Sequence, residues 1–257
     1  MSKQTIKMTD WNEVLIRSSA IGYLFVEPQS KADKEAGNLS KTAQSYLINE
    51  YIRLKYDREK DIMTPAMQKG IEAEEVAIKM LSAFTGTNLF KNDKRLNNEY
   101  ITGLPDVFEG ETIETCHHLY DIKTSWSIWT FLSNVGDKLD PLYYYQLQAY
   151  MWLTGANKAS IAYVLADAPE NIIESEKKKL LFQMNVISEE SPDFIEAAAG
   201  LEINMIYPDI PLENKILLFP VEKDEEVIEK MKIKVEKARD FLKELETRHL
   251  SFNNTTK

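Results

Sequence analysis

The sequence has very little cysteine and no long apolar run, and its glycine and proline contents are modest. Its one cysteine, Cys116, excludes an intramolecular disulfide framework and a zinc site built mainly from cysteines. No apolar run approaches the roughly 20 residues of a membrane-spanning helix, and no apolar segment typical of a secretory signal follows Lys3 and Lys7. Nine glycines and nine prolines exclude collagen-like and low-complexity sequences. We therefore expect a cytoplasmic protein with no membrane partner.

Positive charge is also scarce, because 31 Lys and Arg face 41 Asp and Glu, a formal net charge of −10. Proteins that coat DNA are usually basic, so this class is not favoured. An enzyme that holds nucleic acid locally and binds metal ions through carboxylates is still compatible with this charge. The 44% hydrophobic and 28% charged residues are typical of a globular domain.

Helical and strand patterns alternate along the chain and predict an α/β (α+β) fold, with a central mixed β-sheet flanked by helices in a single domain. The predicted elements are a polar loop (28–39), two helices (40–55 and 65–84), short strands (within 88–126), a helix (141–154), a strand (159–166), a helix (169–183), a strand (213–221) and a long C-terminal helix (224–248). The last helix has heptad-like apolar spacing at Ile228, Met231, Val235, Ala238, Leu242 and Leu245. This spacing fits packing on the helix's own domain or a contact between subunits.

An acidic residue interrupts the apolar face of the predicted helix 65–84. At about 100° per residue, one face is apolar and has Glu74 at its centre; its members are Met67, Ile71, Ala77, Ile78 and Leu81. A carboxylate in an apolar stripe is costly without a partner. Three explanations are open: the carboxylate binds a metal ion, it serves as a buried base, or it belongs to a structural hydrogen-bond network.

A second acidic position lies in the predicted strands. Asp121 and Lys123 alternate with Ile122 and so point to the same face of a strand. Asp106 precedes them by the length of a hairpin and follows Pro105. Two carboxylates near a lysine suit a hard divalent cation that holds phosphate and activates water. A surface Asp–Lys cross-strand pair is the alternative interpretation.

The helix that begins at Pro141 is rich in aromatic residues. Gln146 shares a face with Leu142, Ala149 and Tyr150, so its amide needs hydrogen-bond partners in an apolar environment. A satisfied core amide and a site residue are both compatible with this position. The tyrosines at 143–145 can stack on bases or pack in the core.

These four places occur in an order that resembles the PD-(D/E)XK nuclease superfamily. The resemblance is to the phage lambda exonuclease and YqaJ-type branch, with RecB-type nuclease domains as wider relatives. Its motifs read here as Gly70 to Glu74, Gly103-Leu-Pro-Asp106, Asp121-Ile-Lys123 and Gln146 to Tyr150. The resemblance covers about residues 8–166 and implies a restriction-endonuclease-like core.

The resemblance also implies roles for these residues. Asp106 and Asp121 are expected to bind Mg²⁺, with Mn²⁺ as a substitute, helped by the Ile122 carbonyl. Glu74 is expected to complete this site directly or through water. Lys123 is expected to position the attacking water, and Gln146 to support Lys123 or the scissile phosphate.

The segment 11–22 resembles the Arg/Ser-containing opening of this branch, which meets the DNA end. We expect Arg17, Ser18 and Ser19 near a 5′-phosphate, since such side chains suit phosphate oxygens. An amphipathic helix with capping serines is the alternative. Ser125 and Tyr150 are further candidates for DNA contact, and packing is the alternative for Ser125.

We therefore expect a Mg²⁺-dependent deoxyribonuclease, an exonuclease that acts 5′ to 3′ on linear duplex ends in phage-type recombination. Three parts are expected in one domain: an end-binding part (1–60), a catalytic core (61–166) and a C-terminal part (167–257). The expected partners are double-stranded DNA ends, a single-strand annealing recombinase and further copies in a trimer. The alternatives are an endonuclease or CRISPR-associated RecB-like nuclease, and a non-catalytic nucleic-acid-binding module.

Overall fold

The computed structural model describes residues 9–60, 63–136 and 138–255, with side chains described as far as Ser251. Within these ranges the helices are α1 (Lys31–Glu35), α2 (Lys41–Tyr56), α3 (Pro65–Glu72), α4 (Glu74–Thr85), α5 (Ile128–Leu132), α6 (Pro141–Thr154), α7 (Glu170–Gln183), α8 (Pro192–Ile203) and α9 (Glu225–Thr255). Two 3₁₀ segments cover Ser18–Phe25 and Leu212–Asn214. None of the described helices combines the length and the apolar character needed to cross a lipid bilayer.

The described strands form two mixed sheets. They are β1 (Ile16–Arg17), β2 (Phe90–Lys91), β3 (Leu96–Asn97), β4 (Ile101–Gly103), β5 (Val107–Glu109), β6 (His118–Thr124), β7 (Lys158–Val164) and β8 (Ile216–Glu222). The larger sheet has the order β2-β5-β6-β7-β8, and only its β6–β7 pair is parallel. The smaller sheet has the order β1-β4-β3, in which β1 and β4 are parallel. The predicted mixed α/β fold is confirmed.

The parallel pairing of β6 and β7 requires a long crossover, which α6 supplies. Asp140 caps α6 by accepting a hydrogen bond from the backbone N–H of Leu142, and Pro141 occupies the first turn. Gly155 ends the helix with a φ of +81°, a conformation that glycine adopts without strain. The predicted helix 141–154 is therefore confirmed, and it lies next to the strands that carry the acidic residues.

The central strands have helices on both faces. Alternate residues such as Leu119 and Ile161 pack with Leu147 of α6, whereas Tyr120 and Ala162 pack on the α4 side. Because side chains alternate along a strand, Asp121 and Lys123 lie on the face that α6 covers. The buried sheet thus provides a rigid base for the site.

The long helix α9 places its heptad-like apolar residues against its own chain. These residues are buried as far as Leu242 and partly buried at Leu245, where α9 packs on α2, α6 and the segment 18–25. The interpretation of packing on its own domain is confirmed for this face. The helix extends past the predicted end at Arg248 to Thr255.

Two predictions of local structure were wrong. The predicted helix 65–84 is divided at Ala73 into α3 and α4, and Met67 and Ile71 of the predicted apolar face are exposed. Ala77 and Leu81 of that face are buried as predicted, and the buried stripe continues in steps of four to Ala73 and Lys69. The polar loop 28–39 contains the short helix α1, capped by Ser30. No element was predicted for α8.

Candidate active site

A hairpin brings Asp106 and Asp121 together. Asp106 directly precedes β5, which pairs with β6 through Val107 and Tyr120. The backbone N–H of Ile122 donates a hydrogen bond to Asp106 Oδ2 over 3.1 Å. The predicted convergence of the two carboxylates is therefore present at one end of the β5–β6 ladder.

Lys123 lies on the same face as Asp121, as the strand alternation predicts. Its Nζ is 2.6 Å from Asp121 Oδ2, and its side chain is 28% exposed while that of Asp121 is 2% exposed. The amine also lies 4.8 Å from the centre of the Tyr143 ring. Lys123 thus joins a buried carboxylate to the solvent-facing part of the site.

Both oxygens of the buried Asp121 carboxylate have a partner. Gln146 Nε2 donates hydrogen bonds to Asp121 Oδ1 over 2.7 Å and to the Tyr150 hydroxyl over 3.1 Å. Asp121 Oδ2 forms the ion pair with Lys123 over 2.6 Å. A buried carboxylate is costly unless it is paired, and these two contacts offset that cost.

The two carboxylates disturb each other's titration. Burial, and then the charge of Asp121, raises the pKa of Asp106 to about 7. Burial also raises the pKa of Asp121. Burial alone lowers the pKa of Lys123, but the nearby Asp121 and Asp106 outweigh it and raise that pKa. Two buried carboxylates that resist ionisation together are an arrangement that a divalent cation stabilises.

The donor set fits a magnesium ion better than a metal with an all-protein cage. Mg²⁺ is bound in many enzymes by one or two carboxylates, with water and substrate phosphate as the other ligands. Asp106 and Asp121 supply that number. Across the described ranges, no group of three or more His, Cys, Asp and Glu side chains is placed to hold a metal ion.

Glu74 is close to this pair but has another partner. Lys91 Nζ donates a hydrogen bond to Glu74 Oε2 over 2.6 Å, and both side chains are partly exposed. The charge of Glu74 contributes to the raised pKa of Asp106. Glu74 therefore adds negative charge beside the acidic pair, and its carboxylate does not form a three-acid cluster with it.

The N-terminal segment packs tightly against β4, the strand that precedes Asp106. Ser18 is 1% exposed and donates a hydrogen bond to the Thr102 carbonyl. A Cβ atom at Gly103 would lie 2.5 Å from Ser18 Oγ, so only glycine fits there. The Ser18 hydroxyl thus binds β4, and its contact with a 5′-phosphate stays a prediction.

Arg17 and Ser19 remain open to solvent. Arg17 Nη2 donates to Glu50 Oε1 over 2.6 Å, and the Arg53 guanidinium binds the other oxygen of Glu50. Glu50 is almost fully buried, so it holds two guanidinium groups at the protein surface. This ion-pair network leaves the Arg17 side chain 45% exposed.

The predicted DNA contacts Ser125 and Tyr150 are buried. Their exposure of 6% and 5% leaves packing as the interpretation that the structure favours. The Ser125 carbonyl accepts a hydrogen bond from Lys69 Nζ over 3.0 Å, and the Trp126 carbonyl accepts another over 3.1 Å. Lys69 therefore fixes the chain just after Lys123.

Lys69 and Asn92 were missed in the sequence. Lys69 is fully buried, and burial lowers its pKa to about 8. Asn92 is buried beside the hairpin, where its side chain donates to the Pro105 carbonyl and its backbone N–H to the Asp106 carbonyl. The only sequence signal for Lys69 was its position next to Gly70 in a helix. Asn92 had no such signal.

Comparisons with known proteins bear on the whole chain. No protein-family model and no curated protein matches it. Among solved structures it is similar to a phage-related exonuclease from Haemophilus somnus 129PT, with a TM-score of 0.68 and 27% identity over 92% of this chain and 97% of that one. The alkaline exonuclease LHK-Exo from Laribacter hongkongensis aligns with a TM-score of 0.59 and 16% identity over 96% and 97% of the two chains. LHK-Exo in complex with dAMP aligns over 94% and 93%.

The last two similarities, at 16% identity, are similarities of fold, whereas the first extends to sequence. The resemblance to the phage exonuclease branch, which rested on motifs within 8–166, is confirmed over nearly the whole length. It includes the C-terminal part, for which the sequence offered no motif.

Proposed function

We propose that this chain is a metal-dependent exonuclease that hydrolyses phosphodiester bonds at the ends of linear duplex DNA. The observation that carries the proposal is the meeting of Asp106, Asp121 and Lys123 at one end of the β5–β6 ladder. The similarity to a phage-related exonuclease over both full lengths supports the same class of activity.

In this proposal Asp106, Asp121 and the Ile122 carbonyl hold Mg²⁺, or Mn²⁺ in its place. When bound, the ion lowers the pKa of a water molecule and offsets negative charge on the phosphate. Lys123 is protonated at neutral pH because the carboxylates raise its pKa. It therefore acts as a hydrogen-bond donor to the attacking water or to a phosphate oxygen, and not as a general base.

The exposed Arg17 and Ser19 are the residues we propose for the 5′-phosphate of the DNA end. β1, which contains Arg17, pairs with β4 a few residues before Asp106. A DNA end held at Arg17 would therefore lie beside the β-strand that leads to Asp106. We propose digestion from 5′ to 3′, because the 5′-phosphate would be held next to the site.

Two further proposals rest on resemblance alone. They are assembly as a trimer and cooperation with a single-strand annealing recombinase in phage-type recombination. Location in the cytoplasm, expected from the composition of the sequence, is also a proposal.

A digestion assay with three substrates tests the activity. The substrates are linear duplex with a 5′-phosphate, the same duplex with a 5′-hydroxyl, and a covalently closed circle, each with Mg²⁺ or EDTA. We expect Mg²⁺-dependent loss of the linear duplexes only, faster with the phosphate. The Asp121→Ala and Lys123→Ala variants should not digest the linear substrate.

Other outcomes point to the alternatives. Cutting of the circle would indicate an endonuclease, including a RecB-like one. Binding of DNA without digestion in Mg²⁺ or Mn²⁺ would indicate a non-catalytic nucleic-acid-binding module. Digestion by both alanine variants at the wild-type rate would show that the site is wrongly assigned.

A further inference from the structure

A cavity of about 470 Å³ lies beside Lys123, at the beginning of α6. Its lining includes three aromatic rings and three polar side chains: Tyr143, Tyr163, Phe219, Asn134, Lys138 and Asp140. This volume is within the range of small-molecule sites, and the lining combines aromatic rings with polar groups.

The aromatic rings form a row that starts at the proposed catalytic lysine. Lys123 and Tyr163 are register partners in β6 and β7, so they lie side by side on one face of the sheet. The rings of Tyr143 and Tyr163 are 6.4 Å apart at 67°, and those of Tyr163 and Phe219 are 5.7 Å apart at 88°. The row therefore leads from the Lys123 amine across β7 to β8.

All three rings pack against the core cluster that includes Leu119 and Leu147, and Tyr163 is a buried member of it. Tyr143 and Phe219 are partly exposed and line the cavity. Tyr144 and Tyr145, the neighbours of Tyr143, pack against the cluster under α9. Of the three tyrosines in the run, Tyr143 is therefore the one that lines the cavity near the site.

Flat aromatic walls suit flat aromatic ligands. Nucleobases stack on such side chains whatever their sequence, because every base has a π-face. The exposed Lys138 at the rim supplies positive charge next to a ligand that carries phosphate, and Asn134 and Asp140 supply polar groups for base edges. The position beside Lys123 places this ligand one step from the scissile phosphate.

We infer that this cavity is a base-binding subsite that receives the base of a nucleotide next to the scissile phosphate. The inference rests on the proposed nuclease function, because that function places a phosphate at Lys123. The subsite recognises the aromatic character of the base and therefore accepts all four bases.

Calorimetric titration tests the subsite without hydrolysis. The probes are 5′-dAMP and 2-deoxyribose 5-phosphate, which has the same sugar phosphate but no base, each in the presence of Mg²⁺. We expect dAMP to bind about tenfold more tightly, which is within the range of one base–aromatic stack. Thymidine 5′-monophosphate should show a similar preference.

Variants locate the binding. Phe219→Leu and Tyr143→Leu keep apolar bulk but remove a ring, and each should lower the affinity for dAMP about tenfold while leaving the sugar phosphate unchanged. Tyr143→Phe restores the ring and should restore affinity. Phe182→Leu changes an exposed phenylalanine on α7 outside the cavity lining and should have no effect. Circular dichroism confirms that each variant is folded.

Equal affinity of the wild type for both probes would overturn the subsite. So would an equal loss of both affinities in the ring variants, which would mean that the rings only support Lys123. Failure of the nuclease proposal is separate: a protein that prefers dAMP but never digests DNA has the subsite without the activity. A protein that digests DNA but binds both probes equally has the nuclease activity without the subsite.

Discussion

Gln146 donates a hydrogen bond to Asp121 over 2.7 Å and so ties helix α6 to strand β6 inside the acidic site. The same amide nitrogen bonds the buried Tyr150 hydroxyl. Together these two bonds fix the orientation of the Asp121 carboxylate. The sequence resemblance implied a role beside Lys123 or the phosphate, whereas the structure gives Gln146 a carboxylate to orient.

We expect Gln146→Leu to reduce activity about 10- to 100-fold, the usual effect of removing a group that orients a metal ligand. The Asp121 carboxylate would then lose its one hydrogen-bond donor from α6. Steady-state digestion rates at several Mg²⁺ concentrations check this, and higher Mg²⁺ should recover part of the loss.

Gln148→Leu is the matched control. Gln148 is also buried in α6, but it bonds the Glu222 carbonyl and the Asp224 N–H. Its loss should lower stability and leave the rate per folded molecule near that of wild type. Equal loss of activity in both variants would show that α6 is merely sensitive to substitution.

Asp106→Asn should make the metal-free protein more stable. The pKa of Asp106 is raised to about 7, so at pH 8 its charge is held against burial and Asp121. Removing that charge should add up to about 4 kcal/mol, the equivalent of the shift from 3.8 to about 7, and so raise the melting temperature by several degrees. The Asn oxygen can still accept from Ile122.

Thermal unfolding in EDTA and in Mg²⁺ checks this prediction. Mg²⁺ should raise the melting temperature of wild type and not that of Asp106→Asn. The exposed Asp209→Asn should melt like wild type in both conditions. A variant that melts lower in EDTA and still gains from Mg²⁺ would contradict the metal assignment.

The stability of the protein should rise between pH 8 and pH 10.5 through Lys69. Burial lowers the pKa of Lys69 from 10.5 to about 8. In this window the unfolded chain keeps a proton that the folded chain has released, so the free energy of unfolding increases with pH, by at most about 3 kcal/mol. Below pH 8 both states are protonated, and the cost of the buried charge is complete.

Urea unfolding of wild type and Lys69→Met across this range isolates the effect. Tyrosines titrate in both proteins, so the difference between the two free energies reports Lys69. That difference should move in favour of wild type as the pH rises. Parallel curves would mean that Lys69 keeps an ordinary pKa.

Arg17→Gln should remove the preference for a 5′-phosphate. The exposed guanidinium is the group we assign to that phosphate, so digestion of phosphorylated duplex should slow about tenfold while the 5′-hydroxyl duplex is unaffected. Because Arg53 still binds Glu50, the fold should be kept. Arg248→Gln on α9 serves as the control for loss of one positive charge. An unchanged ratio between the two substrates would remove Arg17 from the end-binding role.

The arrangement of Asp106, Asp121 and Lys123 was predictable because strand geometry is regular. The period of two put Asp121 and Lys123 on one face, and hairpin length brought Asp106 to them. Gln146 followed from the helical wheel for the same reason. The regular geometry fails at Ala73, where one helix becomes two, and the exposed Met67 and Ile71 were therefore placed on the buried face.

Other parts of the site depend on contacts between distant segments. Lys69 bonds carbonyls more than 50 residues away, and Asn92 bonds the chain at Pro105. No local pattern marks such residues. The same holds for Ser18. The sequence around it suggested a contact with phosphate, whereas its burial arises from packing against Gly103, far along the chain.

The contact between Ser18 and Gly103 packs the N-terminal segment tightly against β4, the strand that precedes Asp106. Arg17 is in register with Thr102, and four residues of chain then lead to Asp106, a span of roughly 13 Å if extended. A DNA end held at Arg17 would then lie at a fixed distance from the metal site at Asp106. Each turnover would then remove a piece of uniform length.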